Sequence, residues 1–598
     1  MKVRRGFLLA LLPALITATY YPVIFAEVCK VDDQKMLNSI SNIHDVTFRA
    51  LFLPGGANGW YYRPLIGASF LADRYLHGLN PHLMHLVNIL LQSLNALLVY
   101  GIALLLIPSE KRRASPAPLI AAIFFGLHPL ATESVSWLSG RTDLLAGFFL
   151  LSATLLTLKY RENGNRLFPV GALAALVCAL LAKETAAAFF PGLLLLLICA
   201  GPKEDGISKK DTLRLSLFTR SMICVGAIAI GVKAVMVVRS LAFQSSANNI
   251  SWTIKFMMND LSHTIFVCLG AVGFYLKKML IPWPLNFAIV EVDPLYELLG
   301  VLIVGLTFVA LFRNTRRSAL WIAGILLLTP SFLIAFNQIA WTPYAERYAY
   351  LPLALMSPAC VSWLAERIHK TTYHSDIVAT LLVVLVLGGT VFVRSVTWST
   401  NLALIRNTVE VSPLATDIKG LYVLELVEHK RYYEAERYAR ELQKITSVGY
   451  DPRPAAIMAY LQMKHGNIVE AMTQLKSLTS RKSEYSPFVT TLLVDVIEEA
   501  APRRDFPVTT LFKPEELSRF GDLLFISSGN YFIYYRLGKI FNRLGLPDYA
   551  RDMFTKASQA APPTDPLQPI IRRCIVSCDR LDTSFQTVHN GHNIKTMR

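Results

Sequence analysis

The chain has 598 residues, of which 53% are hydrophobic and 17% charged, with a formal net charge of +17 and mean hydropathy +0.41. Soluble globular chains carry about 25% charged residues, so this composition excludes an ordinary soluble domain. Nucleic-acid binding is excluded by where the positive charge lies. Lys and Arg gather in short segments between apolar runs, "KVRR", "EKRR", "KYRENGNR", "KKDTLRL" and "RNTRR", which is the positive-inside pattern of a multi-pass membrane protein.

From the N-terminus, the apolar run at 6–26 follows "MKVRR" and shows no A-x-A-like cleavage site, so it reads as a retained signal-anchor. That reading puts the next segment, 27–83, on the outer face as a long polar and aromatic loop containing "NGWYYRPL". Apolar runs follow at 84–107, 117–130, 142–158, 168–182, 185–201, 219–238, 298–312, 318–336, 350–365 and 377–393, each near the length that crosses a bilayer. Alternating them from an inside N-terminus keeps every basic loop on the cytoplasmic side. The expectation is an all-α protein with about eleven transmembrane helices. The run at 263–282 breaks the alternation and ends in "YLKKMLIPWP", so it reads as re-entrant or interfacial.

After residue 393 the composition becomes that of soluble helices, which defines an outward-facing domain over 394–598. The tetratricopeptide pattern, with its period of about 34 residues, is clearest in "YYRLGKIFNRLGLPDYARDMFTKASQAAP". Leu537, Gly538, Phe541, Ala550, Phe554, Ala557 and Pro562 fall in its register, and weaker copies centre on Ala435 and Ala471. A generic array of helical hairpins is the plainer alternative, and both readings give a binding or packing module.

Several polar residues fall on the predicted outer face. Asp32 and Asp33 follow the signal-anchor, where a carboxylate can take a proton from an incoming hydroxyl, or simply cap the helix that follows. "HPLATESVSWLSGRTDLLAG" carries His128, Glu133, Arg141 and Asp143 between two spans, with Asp143 the expected partner of Arg141. If Glu133 converges with Asp32 and Asp33, the carboxylates suit acceptor activation or a divalent cation. Lys183 and Glu184, Lys277 and Lys278, and Glu346, Arg347 and Tyr348 add charge at other helix ends. Cations there suit a phosphate, or snorkel to lipid headgroups. The chain contains no P-loop, dinucleotide fingerprint or H-E-x-x-H.

"WYYRPLIGASFLADRYLHGLNPHLMHLVNILLQSLNALLVY", "GLHPLATESVSWLSGRTDLLAG", "LLAKET", "YLKKMLIPWPLN" and "AERYAYLP" occur in that order. With the C-terminal repeats, they resemble the transmembrane-and-tetratricopeptide-repeat O-mannosyltransferases and their bacterial relatives, within the GT-C glycosyltransferases related to protein O-mannosyltransferases. The resemblance implies an inverting membrane enzyme that moves a sugar from a polyprenyl-phosphate donor to a hydroxyl of an extracytoplasmic protein such as a pilin. It implies Asp32, or less readily Asp33, as catalytic base, with Glu133 as a helper. Arg141, Lys183 and Arg347 match cationic positions that face the donor phosphate, and Tyr62 and Arg63 match the first-loop substrate motif; charge and position add Lys277 and Lys278 as phosphate candidates and His128, Glu184 and Tyr348 as substrate-binding candidates. Two departures are visible: Val31 precedes the acidic pair where relatives have an aromatic, and Gln92 stands where many have His.

The same resemblance implies a lipid-linked sugar donor, membrane lipids and an acceptor protein docked on the repeats as partners, and no nucleic acid. No cofactor is required, although Asp32, Asp33 and Glu133 could hold Mg or Mn. The compact loops point to a bacterial inner membrane with a periplasmic active site; in a eukaryote the same topology gives the lumenal side of the endoplasmic reticulum. A flippase of lipid-linked sugar and a non-catalytic scaffold are the competing classes.

Overall fold

The computed structural model describes residues 2–41, 62–109, 112, 115–200, 244–313, 315–336, 342–367, 380–445, 452–479, 486–502, 508–528, 530–561, 565 and 567–578. Within these it is helical, and its only extended pairing is one antiparallel bridge between Ile289 and Tyr344. Two compact units are present. One comprises 1–33 with 47–415, the other 34–46 with 416–598.

The first unit begins with α1 (Lys2–Thr19) and a 3-10 turn at Tyr21–Phe25, while the short α2 (Asp33–Ser41) belongs from Gln34 onward to the second unit. Next come α3 (Pro64–His77), α4 (Pro81–Leu106), α5 (Ala117–Gly126), α6 (Ala131–Ser136) and α7 (Arg141–Asn163). They lead to α8 (Leu167–Ala182), α9 (Phe190–Ala200), α10 (Gln244–Asn259), α11 (Leu261–Leu280) and α12 (Leu295–Phe312). The unit closes with α13 (Arg316–Ala335), α14 (Tyr350–Arg367), α15 (Thr380–Thr397) and α16 (Asn401–Val411).

Local chemistry sets several boundaries. Asn80 accepts from the backbone of His82 and Leu83, and Pro81 opens α4 where its missing N–H costs nothing. Asp260 caps α11, and Thr315 and Ser318 form a reciprocal capping box on α13.

Seven helices are long and apolar enough to cross a membrane, and four shorter apolar helices accompany them among the described residues. The α12 helix decides how these surfaces are covered. Leu295, Leu298, Val301, Leu302, Phe308 and Phe312 are all exposed, and only 17% of its apolar window is buried. A contiguous apolar surface of that size belongs in lipid. The first unit is therefore a multi-pass membrane protein. The expected span at 219–238 and Pro562 lie outside the described residues. The segment expected to be re-entrant or interfacial is instead α11, one unbroken 20-residue helix that meets the length of a crossing. Its tight pairing with α12 explains the continuity: a side chain at Gly273 would meet the Tyr296 carbonyl, and one at Gly300 the Leu269 carbonyl. Paired glycines let two helices close backbone to backbone without a break.

The bundle has two chemically distinct ends. At one, Arg112 and Arg316 donate to the Leu105 carbonyl and Arg317 to that of Leu106, capping the C-terminus of α4. Arg112 also pairs with Glu162, and Arg317 with Glu366. Parts of three basic segments, "EKRR", "KYRENGNR" and "RNTRR", thus meet at this end. The opposite end gathers the acidic pair, the α5–α7 connection and the start of α14.

Among its described residues the second unit contains four helical pairings in sequence. These are α17 (Thr416–Glu428) with α18 (Tyr432–Ile445), and α19 (Arg453–Lys464) with α20 (Ile468–Thr479). Then come α21 (Ser486–Ala500) with α22 (Pro514–Ser528), and α23 (Phe532–Arg543) with α24 (Pro547–Ala560). Lys430, Gly466 and Gly545 take positive φ in the turns between hairpin arms. Partners in neighbouring hairpins recur at one repeat: Lys464 with Glu499 across 35 residues, Asp522 with Lys556 and Tyr531 with Asp565 across 34. Ala435, Ala471, Leu537, Phe541, Ala550 and Ala557 are fully buried, and a Cβ on Gly538 would sit 2.6 Å from the Phe554 ring. This is tetratricopeptide-like packing.

Candidate active site

The acidic pair splits into two different environments. Asp33 N donates to the Val31 carbonyl at 2.9 Å while Asp32 sits at φ 65°, so residues 31–33 form a γ-turn of the strained hand. Asp32 is exposed at its apex. Asp33 is fully buried. Its carboxylate accepts from Leu138 N at 3.2 Å, Ser139 N at 2.8 Å and Ser139 Oγ at 2.6 Å. Burial outweighs these bonds and the neighbouring Asp32 charge adds to it, pushing the Asp33 carboxyl up to about 7.

The partner of that turn is a second one. Trp137 ends α6 in an extended conformation, and Leu138–Gly140 form a 3-10 turn leading into α7. A Cβ on Gly140 would lie 2.4 Å from the Ser134 carbonyl, so only glycine lets this turn fold back on α6. Trp137 Nε1 donates to the Val31 carbonyl at 3.0 Å. Both residues flanking Asp32 are thereby tied to residues 137–139.

Glu133 is buried and takes two bonds from Arg347, one from its backbone N at 2.9 Å and one from Nη1. Burial raises the Glu133 carboxyl, and Arg347 opposes that rise. The Arg347 guanidinium lies 5.1 Å from the Trp137 ring and 4.9 Å from the Tyr348 ring. Lys183 approaches Tyr348 at 6.0 Å and pairs with Asp143. Arg63 forks onto Glu184 with two 2.9 Å bonds. The Arg347–Glu133 and Lys183–Asp143 pairs therefore flank Tyr348, and the Arg63–Glu184 pair adjoins Lys183. This wall stands beside the turn that carries Asp32.

Other expected site residues are placed away from it. Arg141 is fully buried, and each arm of its guanidinium has a protein partner: Nε to Asn88 at 2.9 Å, Nη1 to Asp73, and Nη2 to the Met84 carbonyl at 3.1 Å. It also stacks on Phe70. Expected to face a donor phosphate, Arg141 instead holds α3 and α4 to α7, and its partner is Asp73 rather than Asp143.

His128 is enclosed too. Its Nδ1 accepts from Leu130 N and its Nε2 donates to the Met279 carbonyl, so it joins the α5–α6 corner to α11 and does not face a substrate. Burial holds its imidazole down at about 4. Lys278 is buried against Glu346 at 2.8 Å, which also receives Asn286 N. Lys277 is half-buried and donates to the Trp283 carbonyl. Tyr62 is half-buried just before Arg63, and residues 42–61, which hold the rest of the first-loop motif, lie outside the described residues. Gln92 accepts from Tyr350 Oη at 2.6 Å inside the bundle, a packing role.

Sequence reasoning missed Asp73 and Trp137. The i,i+4 spacing of Asp73 and His77 in an amphipathic stretch was a signal for the former, and the two do pair in α3. Nothing in the spacing singled out Trp137. Among the described residues no three His, Cys, Asp or Glu converge to hold a metal ion. Asp33 and Glu133 commit their oxygens to other partners, so the expected trio with Asp32 does not form a metal-binding set.

Protein O-mannosyl-transferase TMTC1 of Mus musculus is 32% identical over 159 residues, covering 25% of this chain and 16% of that protein. The chain is similar to the protein O-mannosyl-transferases. TMTC4 of Homo sapiens is 39% identical over 114 residues, 17% of this chain and 15% of its own length. Protein O-mannosyl-transferase F38B6.6 of Caenorhabditis elegans is 25% identical over 367 residues, 59% of this chain and 49% of its own. The chain thus spans at most about half the length of these relatives. No family model matches it, and no solved structure does.

Proposed function

We propose that this chain is an integral-membrane, inverting glycosyltransferase that moves a sugar from a polyprenyl-phosphate donor to a Ser or Thr hydroxyl of an extracytoplasmic protein. The observation that carries the reading is Asp32: an exposed carboxylate on a strained turn, fixed on both sides and linked to Arg347 through Trp137. The names of the relatives make mannose the first sugar to test.

In the proposed reaction Asp32 accepts the proton of the acceptor hydroxyl as its oxygen attacks the anomeric carbon. The bond from that carbon to the phosphate oxygen breaks, and the electron pair leaves on the phosphate. Arg347 and Lys183 keep N–H groups beyond those bound to Glu133 and Asp143, and these suit the charge developing on the leaving oxygen. Phosphate leaves without a general acid. One in-line displacement inverts the anomeric centre.

Glu133 acts by holding Arg347, and Asp33 by holding the turn. No step runs through a metal. The positive-inside rule puts the arginine-capped end in the cytoplasm and the Asp32 end outside, in the periplasm or a lumen. The repeats would hold an extended acceptor polypeptide. Intact-mass analysis of extracytoplasmic proteins from cells with and without the chain tests the reading: hexose-sized mass increments that require the chain support it, and identical spectra refute it.

A further inference from the structure

Trp137 touches both halves of the proposed chemistry. Its indole N–H holds the Val31 carbonyl at 3.0 Å, on the near side of the Asp32 turn. Its ring face lies under the Arg347 guanidinium at 5.1 Å. Its edge packs on Phe287 at 5.7 Å, and Phe287 in turn packs on Trp398 at 5.2 Å. The side chain is 5% exposed, so it has one seat. The next two residues, Leu138 and Ser139, hold the other side of the turn through Asp33.

A turn with a central residue at φ 65° persists only if its surroundings over-determine it. We propose that Trp137 is the positioning residue of this site: a rigid spacer that holds the Asp32 turn in its strained form and fixes its separation from Arg347. The inference rests on the glycosyltransferase reading for its consequence in catalysis, but the clamp itself does not.

Trp137→Phe keeps an aromatic face for Arg347 and a ring for Phe287, and removes the N–H bonded to Val31 together with part of the indole's volume. Ser139→Ala loosens the same turn from the other side, leaving the backbone bonds to Asp33. The full-length protein in lipid nanodiscs is measured in two ways. Hydrogen–deuterium exchange follows the peptide containing residues 31–33, with an α4 peptide as internal control. Transfer from polyprenyl-phosphate mannose to a Ser/Thr-containing acceptor peptide gives kcat and the donor KM.

Expected for Trp137→Phe is faster exchange at 31–33 with unchanged exchange in α4, and a fall in kcat of about tenfold to hundredfold at unchanged donor KM, the cost of a misplaced group. Ser139→Ala shows the same pattern, smaller. Unchanged exchange at 31–33 in Trp137→Phe overturns the clamp whether or not transfer is detected. Faster exchange with wild-type kcat overturns its catalytic role. Wild-type protein that transfers no sugar, with faster exchange in the variant, leaves the clamp supported and refutes the glycosyltransferase reading instead.

Discussion

Arg141 turns away from Asp143, two residues on, and closes on Asp73, 68 residues back in the sequence. Helix geometry dictates that choice. Both residues lie in the first turn of α7, and positions i and i+2 of a helix point to different sides. Asp143 faces Lys183 across to the end of α8, and Arg141 faces α3 and the start of α4.

The Arg141–Asp73 pair is buried on both sides, with 1% and 5% of the side chains exposed. Removing one partner of such a pair leaves an uncompensated charge, which costs about 3–5 kcal/mol. Asp73→Ala is therefore expected to lower the thermal unfolding midpoint of the purified protein severely. Replacing both residues, as Arg141→Met with Asp73→Leu, should recover much of that loss. Equal destabilisation by the single and double variants would contradict the pairing.

Asp33 gives a pH prediction with a definite sign. Its carboxyl is raised from the usual 3.8 to about 7, so the folded state binds that proton more tightly than the unfolded one. The contribution is full below the unfolded value, shrinks as pH rises from about 4 to about 7, and is flat above. The unfolding midpoint of wild type minus that of Asp33→Asn, followed from pH 5 to 8.5, is expected to fall with pH and level off near 7. A difference that rises over that window would contradict the burial-driven shift.

In the repeat unit, Gly538 of α23 lies against the Phe554 ring of α24, where a Cβ would come within 2.6 Å. Gly538→Val forces a side chain into that contact, and overpacking of this kind costs roughly 1–3 kcal/mol. The expected result is a lower unfolding midpoint with the membrane unit unaffected, seen as a first calorimetric transition that moves alone. A single transition that does not move would contradict the packing.

Much of the membrane architecture was legible because apolar runs of bilayer length are a local signal. The runs at 84–107, 142–158, 298–312, 318–336 and 350–365 each became a helix long enough to cross. The α11 segment reads as re-entrant or interfacial from its terminal "KKMLIPWP", and the structure gives one unbroken helix of crossing length whose seat on α12, Gly273, carries no periodic signal. Of the candidate site, Asp32, Lys183 and Arg347 were found from charge at helix ends. Which cation meets which carboxylate was not, because Arg347 with Glu133 is a pairing across 214 residues that only the packed bundle decides. The unequal fates of Asp32 and Asp33 also needed the fold. Two adjacent aspartates look alike in sequence until one is placed in a turn apex and the other under Leu138 and Ser139.

The central claim is that Asp32 is the base, and one substitution tests it. Asp32→Asn keeps a residue that tolerates positive φ at the turn apex and removes only the proton acceptor. Transfer of sugar from polyprenyl-phosphate mannose to acceptor peptide, followed by mass spectrometry, should fall about 10²–10⁴-fold with an unchanged unfolding midpoint. Transfer at the wild-type rate in Asp32→Asn would contradict the account.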